Sequence, residues 1–249
     1  MSSLNLDQIL ECALEAADAG AKELMSRFGG PLDIQTKSSV EDKVTDADLA
    51  AETVVREVIA RLRPEDTISG EEFAESVGKN AKVRWSIDPL DGTVNYTRGI
   101  PYFATSVGAQ DIETGQWIAG AVVAPALGVT YFAKRSGGAW VTRAGKTSQI
   151  SGPPKNRETK ILATGFSYSS EERALQFEKL AQVMSVYVDI RRMGSAALDA
   201  CMVADGTLDV YFEKHIKEHD WAAALLIAEE AGQKVKRPEF TGDFGSVNL

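Results

Sequence analysis

The stretch WSIDPLDGTVNY, residues 85–96, sets Asp88 and Asp91 three positions apart, with Pro89 after the first and Gly92-Thr93 after the second. Pro89 cannot donate to a β-ladder, so the strand expected over VRWSID ends in a turn at Asp88. Asp91 precedes Gly92 and Thr93, whose backbone N–H groups, at the opening of a helix, point at an anion. Glu71, in ISGEEF, follows a glycine after apolar Ile68 and is expected at another strand end. Carboxylates gathered in this way repel one another and raise each other's pKa unless a cation compensates. Oxygen ligands without His or Cys suit Mg²⁺, which takes a few carboxylates, keeps waters and accepts phosphate oxygens. Hydrolysis of a phosphate ester is the chemistry such a platform suggests, with two ions clamping the attacking and leaving oxygens.

Each piece also has a plainer reading. Asp-Pro-x-Asp-Gly is turn chemistry. Glu71-Glu72 reads as a solvated pair, Asp46-x-Asp48 as the cap of a helix, and Asp220 as an N-cap before WAAALLIAEEAG. Only their conjunction argues for a site.

The elements that must position these groups are legible from periodicity. Between Leu6 and Phe28, apolar residues at three- and four-residue steps predict an amphipathic helix stopped by Gly29-Gly30-Pro31. A second is predicted over TDADLAAETVVREVIARLRP, with Thr45 or Asp46 as N-cap and Val54, Val55, Val58, Ile59 and Leu62 on its apolar face. VRWSID, FATSVGAQD, WIAGAVVAP and GVTYFAKR are short, β-branched and separated by turns, which predicts an antiparallel meander. After the loop SGPPKNRE, strands TKILATGF, VYVDIRR and LDVYFE alternate with helices SEERALQFEKLAQVMS and GSAALDACMVADG. Two tightly packed halves, 1–150 and 151–249, with a cleft between them, are expected.

Composition narrows the partners. The 249-residue chain carries a formal net charge of −9, which argues against nucleic acid or an anionic membrane surface as a partner. Cys12 and Cys201 are too few and too far apart for a disulfide framework or a CxxC site, and read as core thiols in a reducing cytoplasm. Neither a signal peptide nor a membrane span is expected.

Five motifs in order, DKVTDAD, GEE, WSIDPLDGTVNY, GSAALD and HDWAAALLIAEEAG, make the chain resemble the inositol monophosphatase family of Mg²⁺-dependent, lithium-sensitive phosphatases. The resemblance runs from about residue 5 to about 235 and implies an α/β sandwich of alternating α-β-α-β-α layers, a homodimer, and two or three Mg²⁺ ions. It implies that Glu71, Asp88 and the Leu90 carbonyl hold the first ion, and Asp88, Asp91 and Asp220 the second. Asp48 and Thr93, with Glu71, would activate water, while the Gly92 and Thr93 N–H groups would bind phosphate. Asp91, Gly194, Ser195, Ala196 and Glu213 would face the substrate, a small phosphorylated polyol or similar monoester. Inositol 1-phosphate is the favoured substrate; histidinol phosphate, fructose 1,6-bisphosphate and phosphoadenosine phosphate are rivals, and a non-catalytic acidic metal-binding protein is the alternative outside enzymology.

The chain departs from the family in having His219 before Asp220 and Trp221 after it, where the family usually has Trp before the aspartate. A packed or solvated role for His219 stands beside a role near the metal or substrate. The chain also stops at FTGDFGSVNL, short of the family's usual last strand and helix. Replacing Asp91 or Asp220 by asparagine is expected to abolish turnover and spare the fold.

Overall fold

The computed structural model describes residues 4–36, 43–239 and 242–249. In chain order the elements are α1 (Leu6–Arg27), β1 (Ile34–Thr36), β2 (Lys43–Thr45), α2 (Asp46–Leu62), β3 (Thr67–Gly70), β4 (Val83–Asp91), α3 (Thr93–Thr97), β5 (Ala104–Asp111), β6 (Trp117–Ala124) and β7 (Val129–Lys134). They continue with β8 (Ala139–Arg143), β9 (Lys146–Ile150), β10 (Ile161–Thr164), α4 (Ser170–Val183), β11 (Asp189–Arg191), α5 (Ala196–Ala204), β12 (Val210–Lys214), α6 (Glu218–Glu230), β13 (Val235–Lys236) and β14 (Phe244–Val247).

A seven-stranded sheet runs β3-β4-β5-β6-β7-β8-β9, antiparallel throughout except for the β3–β4 pair. A five-stranded mixed sheet runs β11-β10-β12-β14-β13. The alternation of strand side chains explains the layers. Trp85, Ile87, Val107 and Ala109 point to one face of the large sheet and pack under α1 and α2. Gly108 and Gly120 point to the opposite face, where α6 lies. Beyond α5 and α6, Ala163, Tyr211 and Val247 of the small sheet close the same core. On that sheet's outer side lies α4, with Phe177 stacked on Phe166. The order is therefore α-β-α-β-α.

Local chemistry sets the helix ends. Asn5 caps α1 by accepting from the backbone N–H groups of Asp7 and Gln8. Thr45, rather than Asp46, caps α2 in a reciprocal box with Asp48. The buried face of α2 differs from the expected one: Ala47, Asp48, Ala51, Glu52, Val55 and Ile59 point inward, whereas Leu62 is 40% exposed. The apolar count in the sequence favoured the valine side, but the inward stripe uses small alanines and two carboxylates that serve the site.

Packing of α6 on the large sheet is backbone-close. A Cβ on Gly120 would lie 2.9 Å from Ala223 Cα, and one on Gly108 would lie 3.0 Å from Ala222 Cβ. Gly120→Ala therefore lowers stability by about 1–3 kcal/mol through overpacking. Urea unfolding measures it, and an unchanged midpoint would mean that α6 is not seated so closely.

Candidate active site

The strand β4 delivers two carboxylates because its pairing with β5 breaks between Asp88 and Asp91. Pro89 sits in the break, where no ladder N–H is available, and Thr105 Oγ1 donates to its carbonyl at 2.9 Å. Asp88 is 1% exposed and its Oδ1 accepts from Leu90 N at 3.1 Å. Gly92 follows with φ +102°, and a Cβ there would stand 3.0 Å from Tyr102 O and 3.3 Å from Gly194 O. Only glycine fits this turn. Asn95 ties it to the second half of the chain, its Nδ2 donating to Tyr102 O and Met193 O, each at 2.8 Å.

Glu71 stands just beyond β3. The turn that carries it is held by Glu52, which is fully buried and accepts from Glu72 N at 2.7 Å, Phe73 N at 3.3 Å and Arg56 Nε at 2.7 Å. Asp48, on the first turn of α2, caps the helix with one oxygen and reaches Thr93 with the other. Its Oδ2 accepts from Thr45 N at 2.8 Å and Thr45 Oγ1 at 2.6 Å, completing the cap, while its Oδ1 stands 3.3 Å from Thr93 Oγ1. Thr93 Oγ1 is also 3.1 Å from Leu90 O, so its single proton has two acceptors. Burial pushes the Asp48 carboxyl up to about 7, against the pull of the Thr45 bonds.

From the second half, α5 and α6 close the site. Ser195 Oγ donates to Asp91 Oδ2 at 2.6 Å, Ala197 N to the same oxygen at 2.7 Å, and Ala196 N to Asp91 Oδ1 at 3.2 Å. The Ser195 hydroxyl is therefore taken up within the protein. Ser195 is 1% exposed, and as N-cap of α5 its hydroxyl lies between Leu198 N and Asp91. The Ala196 N–H is likewise turned to Asp91. Asp220 accepts from Lys217 N at the start of α6. Glu213 lines the cleft and accepts from the Tyr211 hydroxyl at 3.2 Å.

The result is a cleft of 530 Å³ whose wall includes Glu71, Asp88, Asp91, Thr93, Glu213 and Asp220. Leu90, Gly92, Gly194 and Ala196 also reach it, whereas Asp48 and Ser195 lie behind, acting through Thr93 and Asp91. Burial raises the Asp88 carboxyl well above its ordinary range, and Glu71, Asp91 and Asp220 add to the effect in that order. Asp91 is pushed up to about 7 by burial and then by Asp220, opposed by its bonds from α5. Asp220 is raised too, by burial first, with the neighbouring His219 opposing. Glu213 rises to about 8, by burial and then Asp220. Buried carboxylates of Asp88, Asp91 and Asp220 gathered in one cleft with Glu71, all offering hard oxygen, are a donor set that a divalent cation such as Mg²⁺ fits.

The model for the inositol monophosphatase family matches residues 5–245. The chain belongs to the inositol monophosphatase family. An inositol-1-monophosphatase of Mycobacterium leprae is 42% identical over 238 residues, spanning 94% of this chain and 80% of that one. A Nus factor SuhB of Vibrio cholerae is 35% identical over 226 residues, spanning 90% and 83%. The solved structure of Mycobacterium tuberculosis SuhB superposes with a TM-score of 0.83 at 36% identity, covering 98% of this chain and 92% of that one.

Within this family member, Glu52, Asn95 and the Tyr102–Asp199 pair are site supports that sequence reasoning missed. Asn95 and Asp199 lie inside the motifs WSIDPLDGTVNY and GSAALD but carried no assigned role there, and Glu52 shares the inward face of α2 with Asp48. Tyr102 donates its hydroxyl to Asp199 Oδ1 at 2.8 Å beneath the cleft. Burial raises the Asp199 carboxyl well above its ordinary range, with the Tyr102 bond opposing. A carboxyl raised on folding contributes stability that is fully present below its unfolded value and lost as pH rises through its folded value. Asp199→Asn, which keeps an acceptor for Tyr102, therefore gains stability relative to the parent as pH rises from the acid side. Parallel pH-dependence in urea unfolding of the two proteins would contradict this.

Proposed function

We propose that this chain is a phosphate monoester hydrolase acting on inositol 1-phosphate, with two or three Mg²⁺ held by Glu71, Asp88, the Leu90 carbonyl, Asp91 and Asp220. The observation that carries the reading is the convergence of those carboxylates beside the Gly92-Thr93 turn. The identity to the Mycobacterium leprae enzyme supports this substrate over histidinol phosphate, fructose 1,6-bisphosphate and phosphoadenosine phosphate.

Mg²⁺ bound there supplies positive charge that polarises the phosphoryl group and makes water more acidic. The chain's own groups do the rest. Gly92 N–H and Thr93 N–H, at the turn into α3, hold phosphate oxygens. Thr93 Oγ1 accepts a proton from the attacking water and passes its own to Asp48 Oδ1 at 3.3 Å, where a carboxyl at about 7 exchanges protons near neutrality. Glu71 orients the same water. On the leaving-group side, Gly194 and Ala196 shape the wall, Glu213 accepts from a ring hydroxyl, and Asp91 Oδ1 offers a remaining lone pair. Ser195 keeps Asp91 in place. The same reading makes the protein a cytoplasmic, lithium-sensitive homodimer, with sedimentation as the check on its oligomeric state.

Phosphate release with and without Mg²⁺, over inositol 1-phosphate and its three rivals, tests the reading. Strong Mg²⁺-dependent preference for inositol 1-phosphate is expected. Absence of release from every substrate would instead favour a non-catalytic acidic metal-binding protein. Glu213→Ala shifts the ratio of rates on inositol 1-phosphate and fructose 1,6-bisphosphate by about tenfold or more, since a hydroxyl partner is lost. An unchanged ratio would remove Glu213 from the substrate side.

A further inference from the structure

Glu71 and Asp220 reach the cleft from two separate turns, one after β3 and one at the start of α6. Both turns are acidic. Glu71, Glu72 and Glu75 lie in the first, Glu218 and Asp220 in the second, and Glu71 is among the groups that raise the Asp220 carboxyl. Like charges brought this close push the turns apart unless a cation sits between them. Arg84 is such a cation. Its Nε donates to Glu75 Oε1 at 3.0 Å and its Nη1 to Glu218 Oε1 at 2.6 Å, so one guanidinium holds a carboxylate of each turn. The arginine side chain is 26% exposed, which shields the pair with Glu218 from much of the screening by salt. Strand geometry puts it there. Arg84, Ser86 and Asp88 alternate with Trp85 and Ile87 along β4, so Arg84 stands on the face that α6 covers, on the same side as Asp88. Thr67 of β3 pairs opposite Arg84, and the turn after β3 folds back until Ser76 exchanges both backbone bonds with Ile68, at 2.8 and 2.9 Å. That return brings Glu75 to the arginine. The two arms use different nitrogens of a rigid planar fork, a division that the single ammonium of a lysine does not reproduce.

We propose that Arg84 is a positioning residue for the metal site: by tying Glu75 to Glu218 it holds Glu71 and Asp220 together before Mg²⁺ arrives. The inference rests on the proposed reading that these carboxylates hold Mg²⁺. Arg84 is not part of the cleft wall. It acts by raising the fraction of molecules whose two acidic turns already stand together, and apparent affinity scales with that fraction. By charge alone, loss of a cation beside an acidic site tightens Mg²⁺ binding. The sign of the change therefore separates positioning from bulk electrostatics.

Calorimetric titration of Mg²⁺ into the full chain, first stripped of metal with a chelator, measures the effect. Arg84→Gln is expected to weaken Mg²⁺ binding about three- to tenfold, and to raise by the same factor the Mg²⁺ concentration that gives half-maximal phosphate release. The rate at saturating Mg²⁺ stays within about twofold of the parent, because excess ion draws the turns together. Amide exchange across residues 71–76 and 218–221 quickens in the metal-free variant and returns to the parent rate under saturating Mg²⁺, whereas a general loss of stability would quicken it with and without the ion. Parent-like or tighter Mg²⁺ binding by folded Arg84→Gln overturns the proposal. So does exchange that stays fast under saturating Mg²⁺. Should Arg84→Gln fail to fold, Arg84→Lys, which keeps the charge and loses the fork, carries the same titration with about a threefold loss expected, and parent-like affinity there overturns the proposal. A parent that releases phosphate, beside an Arg84→Gln variant that binds Mg²⁺ equally well, sinks this inference alone. A parent that binds Mg²⁺ but releases no phosphate sinks the proposed activity alone, and a parent that binds no Mg²⁺ sinks both.

Discussion

Asp220→Asn is expected to slow phosphate release by about a thousandfold while leaving the helices and the melting temperature intact. Charge stabilisation at such a site is worth several kcal/mol, and each 1.36 kcal/mol is about a factor of ten in rate. The carboxamide has the shape of the carboxylate, and its one oxygen still accepts from Lys217 N at the start of α6. Removing one of four mutually repelling carboxylates also relieves the folded state. Rate at saturating Mg²⁺, paired with circular dichroism, measures both halves of the claim, and a parent-like rate would remove Asp220 from the metal set. Asp91→Asn loses as much activity, but it does not spare the fold as the sequence suggested. Asp91 accepts three donors from the start of α5. A carboxamide offers one oxygen to them, and an unsatisfied buried donor costs about 1–3 kcal/mol.

Trp85→Ala is expected to be the most damaging substitution for stability, at about 3–5 kcal/mol. Trp85 is fully buried on β4, in the cluster beneath α1 and α2, and its Nε1 donates to Asp66 Oδ2 at 3.0 Å. Truncation leaves a cavity on the same strand that carries Asp88, three residues before it. For a chain of this size the loss lowers the melting temperature by about 10 °C. Trp85→Phe separates the contributions, because it keeps most of the ring and gives up only the indole N–H, worth about 1 kcal/mol. A melting temperature within a degree or two of the parent for Trp85→Ala would mean that the core relaxes into the space.

Much of this was legible in the sequence wherever a local rule dictated the outcome. The long helices declared themselves by period, and β4 to β7 by β-branched runs between turns. β9, with Lys146, Thr147, Ser148 and Gln149 all exposed, has no apolar alternation to betray it. The short β13 and β14 gain their pairing from partners far along the chain. The same division holds in the site. Asp88, Asp91 and Gly92 stood out because proline and glycine announce their turn. Asn95 bonds to a carbonyl 98 residues away, and Tyr102 to a carboxylate 97 residues away, so the motif around Asn95 does not reveal its supporting role and nothing near Tyr102 marks it. The partner of the Ser195 hydroxyl was hidden for a related reason: it is a carboxylate 104 residues earlier.

The seating of α6 on bare backbone at Gly108 and Gly120 bears on how the protein is made. A ribosome delivers the large sheet first, with Asp48, Glu71, Asp88 and Asp91 already in the chain and its glycine track uncovered. The helix that covers the track and brings Asp220 emerges more than a hundred residues after Gly108. Domains fold in the order of their synthesis, and surfaces awaiting a late partner are exposed meanwhile. The nascent protein thus passes through a stage with an acidic cluster short of its last carboxylate and an open apolar groove, and the arrival of one helix ends both conditions at once.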